Sequence, residues 1–400
     1  MKAKIAPTSP KGRQKQQEEN LDHFLEEKEV FVQPIKPRSI WTIIILSIFS
    51  GFVAGALGLL LLTSLALGNP NASFWGWFGI QFPETAERDV IIREQARQTN
   101  ISEVISTVGP AVVALSSQSE NILDRDLTGN GLVISSDGYV ASVDGVSLTG
   151  TAYGVGADNT VIETTGSALE DPSSPLTAFR LDEAGLPVTT FVVPENLRLG
   201  DELLVLMRTA QGTLAYQSTV LVGQNELLHT DGADFFLSTE TYTRRHRIGN
   251  LDAAYRGAPV FTMSGEAIGL VSDPATGTVV PIEFLTPALP RLLQDGEFER
   301  LHLGVHYKDL AAMPSLDDTE TGALLIGDTD RGILAVAEGS PADDAALVSG
   351  MRILAVNDVP LAYPEELTTV VQRFDIGEEI ELTLMVDDIE QVVSVVLGSL

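Results

Sequence analysis

The chain has no cysteine among its 400 residues. A disulfide, a zinc–thiolate site and a cysteine nucleophile are therefore excluded. Histidine is also scarce, since only five occur and none lies between His23 and His229. Any chemistry placed within that stretch has to proceed without an imidazole base.

Positive charge is also in deficit, with 25 Lys and Arg against 55 Asp and Glu and a formal net charge of −30. Residues 1–38 carry eight of the basic residues and six acidic ones, so the acidic excess lies after residue 38. A surface of this kind repels the phosphates of nucleic acid and anionic lipid headgroups. We therefore expect no nucleic-acid partner.

A long uncharged stretch predicts a membrane segment. No charged residue lies between Arg38 and Glu84, and Ile40–Leu67 exceeds the roughly 20 apolar residues that span a bilayer. We interpret residues 39–68 as an uncleaved signal anchor. A cleaved signal peptide is the alternative, although its apolar region normally has only about 7–15 residues. Lys36 and Arg38 on the near flank place the N-terminus in the cytoplasm.

The remaining segments differ in pattern. Residues 1–38 are polar and are predicted to be a disordered cytoplasmic tail, and residues 69–100 are predicted to be a juxtamembrane stalk. Short β-prone runs with turn signals recur through residues 101–298, which indicates a barrel or sandwich. Residues 299–400 form a separate unit. A hydrophobic fraction of 44% is sufficient for cores in both.

The stretch Gly129–Val146 has the pattern of a β-hairpin whose turn contains Asp137 and Gly138. It resembles the first-barrel hairpin of the HtrA family, trypsin-fold serine proteases that carry PDZ domains. Glu103–Leu115 is similar to the family segment that leads into the first strand. The resemblance implies a mainly β chain with a degenerate two-barrel trypsin-like fold followed by a PDZ domain, and the apolar stretch adds an N-terminal transmembrane helix.

The resemblance also locates the positions of the catalytic triad. The base position is Gly145, the position of the orienting carboxylate is Pro175, and the nucleophile position is Arg256. A serine protease needs a hydroxyl, an imidazole and a carboxylate at these places. No serine lies between Asn250 and Met263 either. We therefore predict no catalytic residue at these positions and a chain that is not an enzyme, but an inactive homologue of an HtrA-type serine endopeptidase.

The C-terminal region carries a more specific resemblance. Gly339–Ala342 followed by Gly350–Asp358 is similar to the corresponding run of an HtrA-type PDZ domain. Such a domain adds an extended peptide to a sheet edge and binds its terminal carboxylate with backbone N–H groups. An apolar pocket predicts peptides that end in a hydrophobic residue. The resemblance implies that the peptide-binding residues are His302, Leu303, Gly304, Val305 and His306, with Leu367, Val370 and Val371 on the facing helix.

Two patterns resemble metal sites, but each lacks a feature that metal binding requires. His302 and His306 would suit a metal on a helix, but on a strand they lie about 13 Å apart. Asp124 and Asp126 open a stretch like a calcium loop, but its twelfth position is Ser135 instead of glutamate. We therefore predict no metal and no cofactor.

The basic run Arg244–Arg247 is unusual in so acidic a chain. Two interpretations remain open for it. One is a solvated loop that pairs with nearby carboxylates, with its histidine, like His229, simply hydrated. The other is a docking site for an acidic peptide near the cleft.

These observations favour a membrane-anchored HtrA-like pseudoprotease that binds protein C-termini or unfolded segments. It would be an adaptor or regulator of envelope protein quality control, with one span in a bacterial inner membrane and periplasmic globular domains. The family implies a homotrimer or a mixed assembly with an active protease. Two alternatives remain: an unconventional HtrA-type serine endopeptidase and a structural envelope protein.

Overall fold

The computed structural model divides the chain into two units, Met1–Asp89 and Val90–Leu400. The predicted tail and nearly all of the predicted stalk lie outside the residues that it describes. The described residues are 47–58, 98, 100–146, 152–227, 236–313, 321–362 and 365–400.

In the first unit the described element is a helix over residues 47–58. It covers the middle of the predicted span, and the rest of residues 39–68 lies outside the described part of the chain. Ile48, Phe49 and Phe52 are exposed on this helix. Within the described residues, no helix has both the length and the apolar character needed to cross a membrane.

The second unit is mainly β, as predicted. It begins with a helix that ends at residue 108 and a 3-10 turn at Gly109–Ala111. The first sheet has the strand order β5-β4-β1-β2-β3-β7-β6, and the predicted hairpin is β2 and β3. Its strands are β1 (Val112–Ser116), β2 (Leu127–Val133), β3 (Tyr139–Val143), β4 (Tyr153–Val155), β5 (Val161–Glu163), β6 (Leu169–Glu170) and β7 (Leu176–Arg180).

The next strands close into a barrel in the order β11-β14-β13-β12-β8-β9. A short strand, β10, leaves this region and pairs with the C-terminal sheet. A 3-10 turn, Ile282–Phe284, and a helix, Leu289–Asp295, follow the barrel. The strands are β8 (Glu202–Arg208), β9 (Leu214–Leu227), β10 (Leu237–Ser238), β11 (Arg244–Ile248), β12 (Pro259–Thr262), β13 (Ala267–Asp273) and β14 (Thr278–Pro281).

The C-terminal sheet has the order β10-β16-β17-β18-β20-β21, with β19 paired to β18. Two short helices accompany it, Pro341–Asp344 and Leu367–Val371. Strands β15 and β22 pair with each other. The strands are β15 (Leu301–His302), β16 (His306–Asp309), β17 (Ala323–Leu325), β18 (Arg352–Val356), β19 (Val359–Pro360), β20 (Glu379–Val386), β21 (Ile389–Val396) and β22 (Gly398–Ser399).

Strand β8 shows how the first sheet and the barrel share a core. Successive side chains of a strand point to opposite faces. Leu204 and Leu206 pack into the apolar cluster that also contains residues of the first sheet, whereas Leu203 and Val205 pack into the cluster of the barrel. Because both faces are buried, β8 is a continuous apolar run instead of an alternating one.

Strand β11 corrects an interpretation made from the sequence. The run Arg244–Arg247 is not a solvated loop, since Arg244, Arg245 and His246 are only 7%, 8% and 1% exposed. Burial of arginine requires partners for its guanidinium. Arg244 finds them in the C-terminal part of the chain, where it pairs with Asp309 and Glu366. These partners are remote in sequence, so no local pattern indicates them.

Candidate functional site

The structure brings the three positions matched to a catalytic triad next to one another. A Cβ atom built on Gly145 would lie 3.4 Å from Nη1 of Arg256. The N–H group of Asp144 donates to the carbonyl oxygen of Pro175 at 2.9 Å. The three residues therefore surround one place in the fold, and their equivalence to a triad stays a prediction.

Arg256 is held by contacts on both its side chain and its backbone. Its Nη1 donates to the carbonyl oxygen of Ser272 at 2.6 Å, and its own carbonyl accepts the N–H group of Asn130 at 2.9 Å. The N–H group of Arg256 donates within a 3-10 turn to the carbonyl of Ala253 at 3.3 Å. A guanidinium is a donor only, so this side chain is suited to bind an anion or a carbonyl oxygen and not to accept a proton.

Burial shapes the charges beside this place. Partial desolvation raises the pKa of Asp144, and a hydrogen bond from the Thr177 hydroxyl opposes that rise. Burial also lowers the pKa of Arg245 to about 10, with the negative charge of Asp144 acting against the shift. Desolvation therefore weakens the charged form of both groups here.

The residues predicted to bind a peptide lie at one edge of the C-terminal sheet. Strand β10 is added to β16 in antiparallel register, with Leu237 opposite Tyr307 and Ser238 opposite His306. The N–H group of Thr239 continues this ladder by donating to the carbonyl of Val305 at 3.1 Å. Edge addition of this kind is the β-augmentation by which extended peptides are bound.

The loop before β16 binds a carboxylate. The N–H groups of Leu303 and Gly304 donate to Oε1 of Glu240 at 3.2 and 2.8 Å. Nδ1 of His302 lies 3.4 Å from the same oxygen. Gly304 has φ +84°, and a Cβ atom on it would lie 2.2 Å from Cβ of Ser340. Only glycine fits this conformation and this space.

The facing helix contributes both apolar and polar groups. Leu367, Val370 and Val371 are buried in the same apolar cluster as Leu237. Their polar neighbours contact the added segment directly. The hydroxyl of Thr368 donates to the carbonyl of Ser238 at 2.9 Å. Such polar groups were not predicted, because the apolar spacing of the helix does not indicate them.

Gln372 is a second polar residue that the sequence analysis missed. Its Nε2 donates to the carbonyl oxygens of Thr239 at 3.2 Å and Leu301 at 2.8 Å. Thr368 and Gln372 are four residues apart and therefore lie on one face of the helix. Two polar residues at this spacing beside an apolar stripe were the available signal.

A buried ion-pair network joins the barrel to this edge. Arg244 of β11 donates to Glu366, and its Nη2 donates to Oδ2 of Asp309 at 2.7 Å. The hydroxyl of Tyr307 also donates to Glu366, at 2.9 Å. Burial raises the pKa of Glu366, and the charge of Arg244 opposes that shift. The network fixes strand β16 and the facing helix against the barrel.

The sequence of this chain is similar to those of two bacterial proteins of described function. A probable periplasmic serine endoprotease DegP-like of Ectopseudomonas mendocina (strain ymp) is 25% identical over 291 residues, which cover 68% of this chain and 56% of the relative. The protein of the same description from Marinomonas sp. (strain MWYL1) is 26% identical over 289 residues, covering 68% and 57%. The chain is a homologue of the HtrA serine proteases. It spans a little over half the length of these relatives, and no protein-family model matches it.

Solved structures show the same fold as this HtrA homologue. The HtrA-type protease AlgW with a decapeptide superposes with a TM-score of 0.54 at 16% identity, covering 75% of this chain and 98% of that one. AlgW with a tripeptide gives a TM-score of 0.55 at 16% identity, covering 75% and 97%. The mainly β, trypsin-like fold predicted from the sequence is confirmed.

The prediction that this chain is not an enzyme is contradicted by the same comparisons. The relatives are named as serine endoproteases and the structural neighbours as HtrA-type proteases. The prediction rested on Gly145, Pro175 and Arg256, which exclude one constellation of side chains. Hydroxyl nucleophiles are also activated by other bases on other folds, so the loss of that constellation does not exclude an enzyme.

Proposed function

We propose that this HtrA homologue captures polypeptides that end in a free carboxylate, through a PDZ-type domain formed by its C-terminal sheet. The observation that carries the proposal is the pair of N–H groups on Leu303 and Gly304, which already bind the carboxylate of Glu240. A C-terminal carboxylate presents an equivalent charged oxygen to the same donors.

Strand addition supplies the second part of the proposed recognition. Strand β16 has its edge toward β10, where main-chain groups accept an antiparallel strand. Main-chain hydrogen bonds contribute affinity that is independent of the peptide sequence. The buried apolar cluster around Leu367 and Val370 favours peptides with hydrophobic side chains near the C-terminus.

Peptide capture suits a role in extracytoplasmic protein quality control, because unfolded or cleaved proteins offer C-terminal segments that are free to extend and add to a sheet edge. The relatives are named as periplasmic, and we place the globular part of this chain outside the cytoplasm. We retain residues 39–68 as the proposed anchor in the inner membrane. Exposed Ile48, Phe49 and Phe52 on the helix over residues 47–58 support that placement. A homotrimer, or a mixed assembly with an active protease, is the proposed oligomeric state.

Fluorescence anisotropy with a labelled peptide ending in valine tests the function. We expect the peptide with a free carboxylate to bind at least about tenfold more tightly than the same peptide with a C-terminal amide, because the amide loses charge-assisted hydrogen bonds. The measurement is made on the wild-type protein and on Glu240→Ala. Equal affinity for acid and amide, or no binding to either protein, would overturn the proposal.

An HtrA-type serine endopeptidase is the second candidate function, and the names of the relatives favour it. Cleavage by this chain would use a nucleophile from a position other than Arg256. The test is hydrolysis of unfolded casein by the full-length protein, together with labelling by a fluorophosphonate probe and mass-spectrometric location of the labelled serine. Cleavage with a labelled serine in the chain supports this candidate. Absence of both cleavage and labelling opposes it.

A further inference from the structure

The groove of the C-terminal sheet holds a segment of the chain itself. Residues Leu237–Glu240 follow the barrel strand β9 and precede β11 in sequence, yet they lie on the edge of β16. Leu237 packs in the apolar cluster of the C-terminal sheet and not in that of the barrel. Thr239 is completely buried there. The segment therefore packs in the groove of the C-terminal sheet, although in the sequence it lies between two strands of the barrel.

Two groups of this segment, a backbone N–H and a side-chain carboxylate, correspond to groups of a bound C-terminal peptide. The N–H of Thr239 donates to the carbonyl of Val305 at 3.1 Å, as the last residue of an added strand does. The side-chain carboxylate of Glu240 then receives the N–H groups of Leu303 and Gly304. A side-chain carboxylate one residue later thus stands where the terminal carboxylate of a peptide ending at position 239 would lie.

The carboxylate is preorganised for this contact by its own segment. The hydroxyl of Ser238 donates to Oε2 of Glu240 at 2.6 Å, and that of Thr239 donates to Oε1 at 2.7 Å. These bonds turn the Glu240 side chain back along the segment toward the loop. Thr368 and Gln372 bind the carbonyls of the same segment from the facing helix. A loop crossing the groove by chance would not need this complete set of contacts.

We propose that Leu237–Glu240 is an internal ligand that occupies the peptide groove and that C-terminal peptides must displace. This proposal rests on the proposed function. The apparent affinity for an external peptide is then the intrinsic affinity reduced by the fraction of molecules whose groove is free. The peptides that compete are those with a free carboxylate after a strand-forming segment, because Glu240 imitates that end group.

The first experiment detects docking of the segment without any peptide. The chain lacks cysteine, so an engineered pair has no native competitor. Ser238 and His306 lie directly opposite on antiparallel strands, where Cβ atoms are separated by about 4.5–5.5 Å and a disulfide is feasible after a small adjustment. We expect the full-length Ser238→Cys/His306→Cys protein to form an intramolecular disulfide in mild oxidant.

The control pair is Ser238→Cys with Ser394→Cys, because Ser394 is exposed on β21 at the other edge of the same sheet. We expect no crosslink in this pair. Absence of a crosslink in the His306 pair, or equal crosslinking in both pairs, would overturn the proposal.

The second experiment measures competition. The probe is a fluorescein-labelled Phe-Phe-Leu-Ser-Thr peptide with a free carboxylate, which copies residues 235–239. Glu240→Ala should bind it roughly tenfold more tightly than the wild type, because the internal ligand loses its charge-assisted bonds. The matched control is Glu266→Ala. Glu266 is also half-buried and also accepts a serine hydroxyl, at 2.8 Å from Ser264, but it lies on the barrel.

The oxidised Ser238→Cys/His306→Cys protein should fail to bind the probe, and reduction with dithiothreitol should restore binding. If the wild type binds the probe as tightly as Glu240→Ala does, or if the oxidised protein still binds, the internal-ligand proposal is wrong while the proposed function stands. If the crosslink forms but neither the wild type nor Glu240→Ala binds any C-terminal peptide, the proposed function is wrong; docking of the segment on β16 is then supported, but its role as a ligand that peptides displace is overturned.

Discussion

The guanidinium of Arg244, on barrel strand β11, donates to the carboxylate of Glu366 at the start of the helix Leu367–Val371. The two residues are 122 positions apart in the chain. Both are buried, and Asp309 and Tyr307 complete the network. The position of the proposed peptide groove relative to the barrel therefore depends on two oppositely charged side chains that are both buried.

Replacing Arg244 with methionine should destabilise the chain strongly. Removing one partner of a buried pair leaves the other charge unpaired, which costs about 3–5 kcal/mol. The control is Arg247→Met, since Arg247 pairs with Glu226 on the surface, where both side chains are about half exposed and such a pair contributes about 0–1 kcal/mol. Urea unfolding measures both free energies. Equal losses for the two variants would contradict the role given to Arg244.

Gly304→Ala should weaken peptide binding more than a comparable glycine substitution elsewhere. Gly304 and Gly350 both have positive φ, +84° and +93°, so alanine at either position introduces backbone strain of about 1–2 kcal/mol. Only at Gly304 does the new Cβ atom also clash, with Ser340 at 2.2 Å. Anisotropy with the valine-ending peptide should show a loss for Gly304→Ala and little change for Gly350→Ala. A similar loss in both would argue against the loop as the carboxylate site.

Glu283 should make the folded chain less stable as pH rises. Burial raises its pKa from 4.5 to about 7, and Arg373 acts in the opposite direction. The folded state then binds more protons than the unfolded state between pH 4.5 and about 7, so stability falls as pH rises through this window. Thermal midpoints of Glu283→Gln and wild type, measured across the window, should diverge in favour of the variant toward pH 7. Parallel curves would show that the burial does not perturb this group.

His246 should make the folded chain less stable as pH falls. Burial lowers its pKa from 6.5 to about 4, and Nδ1 accepts the N–H group of Asn225 at 3.3 Å. The unfolded state binds the additional proton, so the stability contributed by neutral His246 is lost as pH falls from 6.5 toward 4. His246→Gln keeps an acceptor and removes the titration. The thermal midpoint of the variant should rise relative to that of the wild type as the solution is acidified. A difference between the two midpoints that does not change with pH would exclude a lowered pKa for His246.

Local patterns predicted much of this fold. The hairpin Gly129–Val146 was recognisable because its turn residues and its short β-prone runs are adjacent in sequence. Strand β11 was not, because the buried charge of its Arg244 is compensated by Asp309 and Glu366, and no sequence periodicity indicates a partner 65 or 122 residues away. The peptide edge was placed by resemblance, but its occupant was missed for the same reason, since Glu240 meets Gly304 only in the folded chain.

Peptide capture can be observed in a crystal structure of the full-length chain with a valine-ending peptide. We expect the terminal carboxylate of the peptide to accept the N–H groups of Leu303 and Gly304, the peptide to form an antiparallel strand beside β16, and Glu240 to have left the loop. A peptide bound elsewhere, with Glu240 still on Gly304, would contradict this expectation.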